Sequence, residues 1–422
     1  MQWTNGTLPC FKRIMKLDGD ALVAGGGIVG NSLALALARS GVNVVLVDET
    51  RQATQALGEF DGRAYALSAS SCRLLESLGL GRQLIEFGQP IHSVRVAEGR
   101  PGEGIRGPII EFDRGDADSG PLGRMIEDRF LRRALLEAID AAPGIRRIAP
   151  ARVAEFAVGS GRVAVDFDSG PPVLVALLAG CDGRGSVVAR LAGIDRSFHD
   201  YRQSSIVCAV EHEIDHLGAA HQLFMASGPL AILPLPSSRS SIVWTEKSDV
   251  AKRIGELDDN GFLQVLKPRF GDFLGSVALS GPRRVFPLNL SVAHRFAAER
   301  IALAGDAAHG VHPIAGQGLN LGFRDAAALA EVVALAKRRG EDIGSSAVLE
   351  RYERWRKFDS ASIIGATHGA NLIFATDSEL ASILRSAGMA AIGRLPLLRR
   401  LLAREAAGLV GDLPALMRTG EI

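Results

Sequence analysis

The sequence predicts an α/β fold: a parallel sheet layered with helices, interrupted by an antiparallel-sheet domain and followed by a helical tail. Three observations predict it. "ALVAGGGIVGNSLALALARSGVNVVLVDE" reads as strand, glycine turn, helix and a second strand ending in acid. From about residue 201 to 290 the texture changes to alternating strands such as "SSIVCAVEHE" and "SSIVWTEK". "RIALAGD" then returns to the buried-strand type of the opening, and the text is helical from roughly Ser345 onward.

The bulk numbers agree. A chain of 422 residues exceeds one ordinary core, so two packed units with a tail are expected. With 47% hydrophobic and 23% charged residues the composition is that of a soluble globular protein, and a net charge of +1 gives no field for nucleic acid. Cys10, Cys72, Cys181 and Cys208 are too scattered for a CxxC pair or a disulfide framework, so they read as small buried hydrophobes in a reducing compartment. The first twenty residues lack the apolar core of a signal peptide. A cytoplasmic protein is the expectation. Residues Ala21 to Ala38 carry no charge and could pass for a membrane span. Three successive glycines, then Asn31 and Ser32, favour strand, turn and helix instead.

The elements follow in order. "NSLALALARSG" is a helix whose Gly41 suits a C-cap. "SSCRLLESLG" and "EDRFLRRALLEAIDAA" have helical periodicity. "ARVAEFAVGSGRVAVDFDSG" alternates on both sides of Gly159-Ser160-Gly161 and is a hairpin. "VLVALLAGCDG" is a buried strand with Asp182 just past its end, while "PLAILPLP" and "RRVFPLNLSV" complete the antiparallel set. The expected division is a discontinuous first domain (residues 18–90, 120–200 and 283–345), a sheet domain (91–119 and 201–282) and a helical region (346–422).

Gly25, Gly27 and Gly30 satisfy GxGxxG. The first lets the chain turn off the strand, the second lets a pyrophosphate approach the backbone, and the third lets helix and strand pack closely. The helix start offers free N–H groups to phosphate, and Asp48 ends the next strand where a carboxylate can accept from ribose hydroxyls. This is the opening of a Rossmann-like dinucleotide fold. Gly102 to Gly107 match the same pattern, but Pro108 and strand-like "IIEF" follow, so a loop is expected there. His212-Glu213-Ile214-Asp215-His216 spells the zinc-protease motif HExxH. That chemistry needs both histidines on one helix face. This segment leaves an alternating strand, so a polar strand end and no metal are expected.

"GDAAHGVHPIAGQGLNLGFRDAAALAE", from Gly305 to Glu331, begins like a strand end and finishes as a helix. Asp306 is placed to hydrogen-bond a sugar-like chain; the plainer reading is a helix N-cap. Gly316-Gln317-Gly318-Leu319-Asn320 precede the helix, where backbone N–H groups can face a flat ligand that gains negative charge, as a reduced flavin does. Pro313 would wall one side of the ring and Ala315 would leave room.

This stretch closely resembles the signature of the ubiquinone-biosynthesis hydroxylases, a branch of the FAD-dependent aromatic monooxygenases. "DGRAYALSASSCRLLESLGL", "GCDGRGS", "GPLAILPLP" and "SIVWTEK" extend the resemblance from about Asp20 to Tyr352. It implies an FAD-binding domain of the glutathione-reductase type with an inserted antiparallel-sheet substrate domain. It implies that Gly25, Gly27 and Gly30 hold the FAD pyrophosphate and Asp48 the adenosine ribose. Arg63 would lie by the FAD, although an ordinary ion pair is its plain alternative. Asp182 and Gly183 match a motif serving both FAD and NADPH, and Gly305 and Asp306 one whose acid holds the ribityl chain. Pro313, Gly316 and Gln317, with Gly318, Leu319 and Asn320, would border the flavin face; no acid or base is assigned. His309 and His312 read as packing histidines. One departure is that Ala189, followed by Arg190, stands where related flavoproteins often have an arginine.

The implied activity uses NADPH or NADH and O2 to hydroxylate an aromatic ring. With one credible GxGxxG, the nicotinamide nucleotide is expected to visit without a fold of its own. The protein's tasks are to stabilise the reduced flavin's charge, exclude water and place a hydrophobic aromatic substrate. The alternatives are another flavin monooxygenase of small aromatics, or a non-catalytic flavin-binding subunit of a biosynthetic assembly. In the tail, Leu395, Leu398, Leu402 and Leu409 recur at helical spacing with Arg399, Arg400 and Arg404 between them. A basic amphipathic helix of this kind can lie on the inner face of an anionic membrane. A helix packed on the core, or on other ubiquinone-biosynthesis proteins, is the competing expectation.

Overall fold

A computed structural model describes residues 17–51, 58–100, 104–117, 120–311, 316–375 and 395–421. Its first sheet has six strands in the order Ala297–Ala298, Ile301–Leu303, Leu177–Gly180, Ala21–Ala24, Val44–Val47, Ile145–Ile148. All neighbours are parallel except the first pair. Helices on both faces bury the central strands completely, which is why they are unbroken apolar runs and not alternating ones. Helix Ile28–Arg39 packs against Gln317–Arg338 and Asp128–Ala141. The first strand, helix and second strand thus form as read, and Ala21 to Ala38 are divided between a strand and a helix. Among the described residues no helix is long and apolar enough to cross a membrane.

The second large sheet has nine strands. Along its path lie His309–Gly310, Arg284–Ala293, Arg196–His212, Arg239–Lys247, Leu230–Leu235, Ala219–Phe224, Ser93–Arg100 and Gly104–Asp113, with Val277–Leu279 beside the long third strand. One face packs on helices Ser248–Gly255 and Asp259–Phe270, burying Ile206, Ile232, Trp244 and Phe262. The other face turns toward the first domain. Period-2 alternation therefore assigns each side chain to one of two environments. Leu223 belongs to the helix-covered core, whereas Ala220 and Phe224 face the opposite way.

The predicted hairpin is Val153–Gly159 with Arg162–Phe167. The second GxGxxG needs a correction. From Gly104 onward it is strand, with Ile105 opposite Gly99, while residues 101–103 lie outside the described set. Pairing to a neighbouring strand, invisible to local pattern, overrides the turn-like composition. Cys72, Cys181 and Cys208 are free thiols; Cys10 lies outside the described residues. The tail contains helices Ser346–Ala375, Pro396–Ala406 and Ala415–Arg418.

Candidate cofactor and substrate cavity

The three glycines of the first turn have distinct surroundings. Gly25 has φ +104°, and a Cβ there would press on the Cys181 backbone. A Cβ at Gly30 would overlap the Gly25 carbonyl and sit 3.2 Å from the Cys181 Cβ. At Gly27 a Cβ would meet nothing within 4 Å. Two glycines are thus demanded by packing, and the third leaves open space at the start of helix Ile28–Arg39, which has no side-chain cap. Asp48 accepts from the Gly26 N–H at 2.6 Å and the Thr50 N–H at 2.8 Å, so its carboxylate closes the turn itself.

A cavity of about 970 Å³ begins at Gly27 and runs between the two large sheets. Arg63 to Ser68, Gly183, Arg184 and Asp306 line its flanks, and Gly316 to Asn320 line its floor. Gly316 takes the left-handed conformation (φ +64°) just before helix Gln317–Arg338, again without a side-chain cap. The first-turn N–H groups have no intrahelical acceptors and stand at the positive end of the helix dipole. Asn320 also borders the cavity, but its amide is committed. It donates to the Ala66 carbonyl at 2.8 Å and accepts from the Ser68 N–H at 2.9 Å and the Ser71 hydroxyl at 2.8 Å. It clamps the floor to strand Ala64–Ser68. Pro313, like His312 and Ala315, lies outside the described residues.

Asp182 does not line the cavity. Its carboxylate caps the next short helix, accepting from the Ser186 hydroxyl and the Val187 and Val188 N–H groups at 2.6, 2.7 and 3.1 Å. Gly183 and the following Arg184 line the cavity instead. Arg184 donates to Asp306 at 3.0 Å and to Asn289 of the second sheet at 3.0 Å. Ala189 is fully buried, and neither it nor the following Arg190 lines the cavity. Arg184 is the residue that sequence reading missed; its place directly after "DG" was the available signal.

Arg63 is both an ion-pair partner and a wall residue. It bonds Asp61 at 2.8 Å and Asp128 at 3.3 Å. Asp128 also receives the Tyr65 hydroxyl at 2.6 Å and Arg132 at 2.7 Å. Burial, with Asp128 beside it, pushes the Tyr65 phenol up, so it stays a donor at neutral pH.

Behind the Gly305–Asp306 turn lies a buried charge cluster. Asp325 accepts from the Gly305 N–H at 2.9 Å, from His309 at 2.6 Å and from Arg356 at 2.7 Å. Burial alone would raise the Asp325 carboxyl, but His309 and Arg356 outweigh it and hold it below the usual range. Arg196 donates to the Asp306 and Ala307 carbonyls from the other side. His309 is fully buried and is a polar partner of Asp325 in this cluster. Asp325, inside "RDAAALAE", was legible only as part of a helix.

The HExxH residues are on the strand Arg196–His212 and the turn after it. His212 bonds the Ile214 carbonyl and the Ser240 hydroxyl, and His216 the Leu235 carbonyl. Among the described residues no cluster could hold a metal ion.

Two uncapped helix starts, an open glycine edge and an acid turn border one elongated cavity, and these residues fit a bound FAD. Residues 18–364 match the FAD binding domain family. The chain is 41% identical over 403 residues to the ubiquinone hydroxylase UbiL of Rhodospirillum rubrum, covering 94% of this chain and 92% of that one. It is 31% identical over 391 residues to the 3-demethoxyubiquinol 3-hydroxylase of Escherichia coli, covering 92% and 98%. The solved structure of p-nitrophenol 4-monooxygenase PnpA from Pseudomonas putida shares the fold, with a TM-score of 0.76 at 19% identity over 94% and 99% of the two chains. With a family match across most of its length and relatives aligned nearly end to end, the chain belongs to the FAD-dependent aromatic monooxygenases, the family that includes the ubiquinone hydroxylases.

Proposed function

We propose that the protein is an FAD-dependent hydroxylase that adds a hydroxyl group to the aromatic ring of a polyprenyl-phenol precursor of ubiquinone. When bound, FAD reduced by NADPH or NADH supplies the activation of O2. One observation carries the reading: the glycine cradle opens into the same cavity as an apolar sheet face bearing Val94, Val96, Phe112, Leu233 and Val243. A ring with a long apolar chain suits such a wall, which also keeps water away from the reacting ring. Gly25, Gly27, Gly30 and Asp48 form the pyrophosphate and ribose end, and Asp306, held by Asp325 through the Gly305 amide, takes the ribityl chain. The amides at Gln317 to Asn320 stabilise negative charge on the reduced ring, and Gly316 keeps that helix start open. Pro313 keeps the role the resemblance gives it; of the Asp182–Gly183 pair, Gly183 on the wall is the cofactor contact, while the Asp182 carboxylate caps the helix that follows.

Helix Pro396–Ala406 supports a peripheral membrane contact. Leu402 and Ala406 line the cavity, while Leu397 is 71% exposed and Leu401 49% exposed, with Arg400 and Arg404 also exposed. One helix thus touches both the substrate space and solvent, and its outward face pairs leucines with cations, as docking on an anionic bilayer requires. A substrate resident in the bilayer would then pass the helix on its way to the flavin. The deciding experiment is loss of the gene followed by identification of the accumulated quinone precursor. Accumulation of an under-hydroxylated polyprenyl phenol is expected; normal quinone levels in a strain lacking any paralogue would refute the assignment.

A further inference from the structure

Among the described residues that line the cavity on the nine-stranded sheet, the Gln222 amide has no hydrogen-bonding partner. The register places Val96 opposite Gln222, Gln222 opposite Ala231, Ala231 opposite Val243, and Val243 opposite Val207. All five line the cavity. Four are aliphatic, so this row across the sheet is apolar except at Gln222. Its neighbours on the same face of its own strand, Ala220 and Phe224, line the cavity too. Among the described residues the Gln222 side chain makes no hydrogen bond. Ser205 on this sheet face pairs with Thr245, and elsewhere on the lining Tyr65 and Arg132 pair with Asp128; Gln317 and Glu405, which also line the cavity, belong to helices and not to this face. An amide in an apolar wall is stable only if water or a ligand satisfies it. A ligand that displaces that water must bring its own donor or acceptor.

We propose that Gln222 is the positioning residue for the substrate ring. A ring hydroxyl donates to its Oε1, or an alkoxy or carbonyl oxygen accepts from its Nε2. That polar grip on the sheet face, with the chain held by aliphatic neighbours, fixes which ring carbon faces the flavin floor. The amide is neutral and the nearby cations Arg63, Arg132 and Arg184 each face an acid. The site therefore selects a neutral phenol or its ether over a ring that carries a carboxylate. This deepens the hydroxylase reading and rests on it.

The test compares wild type with Gln222→Met, which keeps side-chain length and removes both hydrogen-bonding groups. Two readouts are taken on FAD-loaded protein. One is the dissociation constant of a short-chain 2-prenylphenol on the oxidised enzyme, without turnover. The other is the fraction of NADPH consumed that appears as hydroxylated product. The expected result is roughly tenfold weaker binding, the size of one lost hydrogen bond, and a lower product fraction with more hydrogen peroxide, while FAD content is unchanged. Gln222→Glu, which keeps the acceptor, should retain more of the phenol affinity than the methionine variant. Unchanged affinity and product fraction in Gln222→Met would overturn the proposal; if that variant fails to load FAD, Gln222→Leu is read by the same criteria. A wild-type enzyme that hydroxylates no prenylated phenol would instead refute the function on which the proposal rests.

Discussion

The two glycines at positions 27 and 30 are three residues apart and should fail in opposite ways. In Gly30→Ala the new methyl overlaps the Gly25 carbonyl and lies 3.0 Å from its carbonyl carbon and 3.2 Å from the Cys181 Cβ. Helix and strand must separate by roughly 1 Å to relieve it. Helix propensity alone would make the alanine about 1 kcal/mol better. Overpacking of a rigid backbone junction costs about 3 kcal/mol. The net expectation is a loss of about 2 kcal/mol, together with weak FAD loading, because the turn itself is displaced. Gly27 has φ −71°, open to any residue, and its new methyl would touch nothing within 4 Å. Its change to alanine should cost at most about 1 kcal/mol as an N-cap effect, yet occupy the space a pyrophosphate needs. FAD affinity should fall at least about tenfold, the equivalent of about 1.4 kcal/mol. Urea unfolding of the apoproteins and a flavin-fluorescence titration measure the two quantities separately. A Gly27→Ala protein that binds FAD like wild type, or a Gly30→Ala protein with the wild-type urea midpoint, would refute the division of roles.

Four further outcomes are expected. Asp306→Ala should weaken FAD binding by about 10- to 100-fold, the range for a hydrogen bond to a charged group; a full flavin spectrum after dialysis would count against the ribityl contact. Asp325→Asn should destabilise the fold by about 3 kcal/mol or more, because buried Arg356 loses a charged partner; denaturant unfolding reads it. His221 is buried against Phe273, and burial, helped by nearby Arg95, lowers its imidazole from 6.5 to about 4. Its folded pKa is below its unfolded one, so its stabilising contribution is complete above pH 6.5 and is lost as pH falls toward 4, a difference of about 3 kcal/mol. His221→Phe should flatten stability across that window, and an unchanged acid slope would show that other groups control it. Leu397→Glu with Leu401→Glu should abolish flotation with anionic liposomes and leave FAD binding intact; equal flotation would remove the membrane role from this helix.

The parts of the site legible in the sequence are those that local backbone geometry dictates. Gly25, Gly27 and Gly30 announce themselves because a strand, a sharp turn and a helix start must follow within ten residues; Gly25 and Gly30 have no room for a Cβ, and Gly27 leaves open space at the helix start. The left-handed Gly316 before an uncapped helix is of the same kind, and period-2 alternation separated the inserted sheet from the parallel one. What the sequence left undetermined depends on contacts between distant segments. Asp182, beside a glycine, reads as a ligand until its carboxylate is found capping its own helix. Asn320 reads the same way until it is seen bonded to Ser68 and Ser71, some 250 positions earlier. Arg184 reaching Asp306, Asp325 gripping Gly305, and Gln222 alone in an aliphatic row are consequences of strand order and register. Local propensity acts over a few residues and is written in composition and period. Charge pairing and cavity lining act through space, and only the packed chain decides which side chains meet.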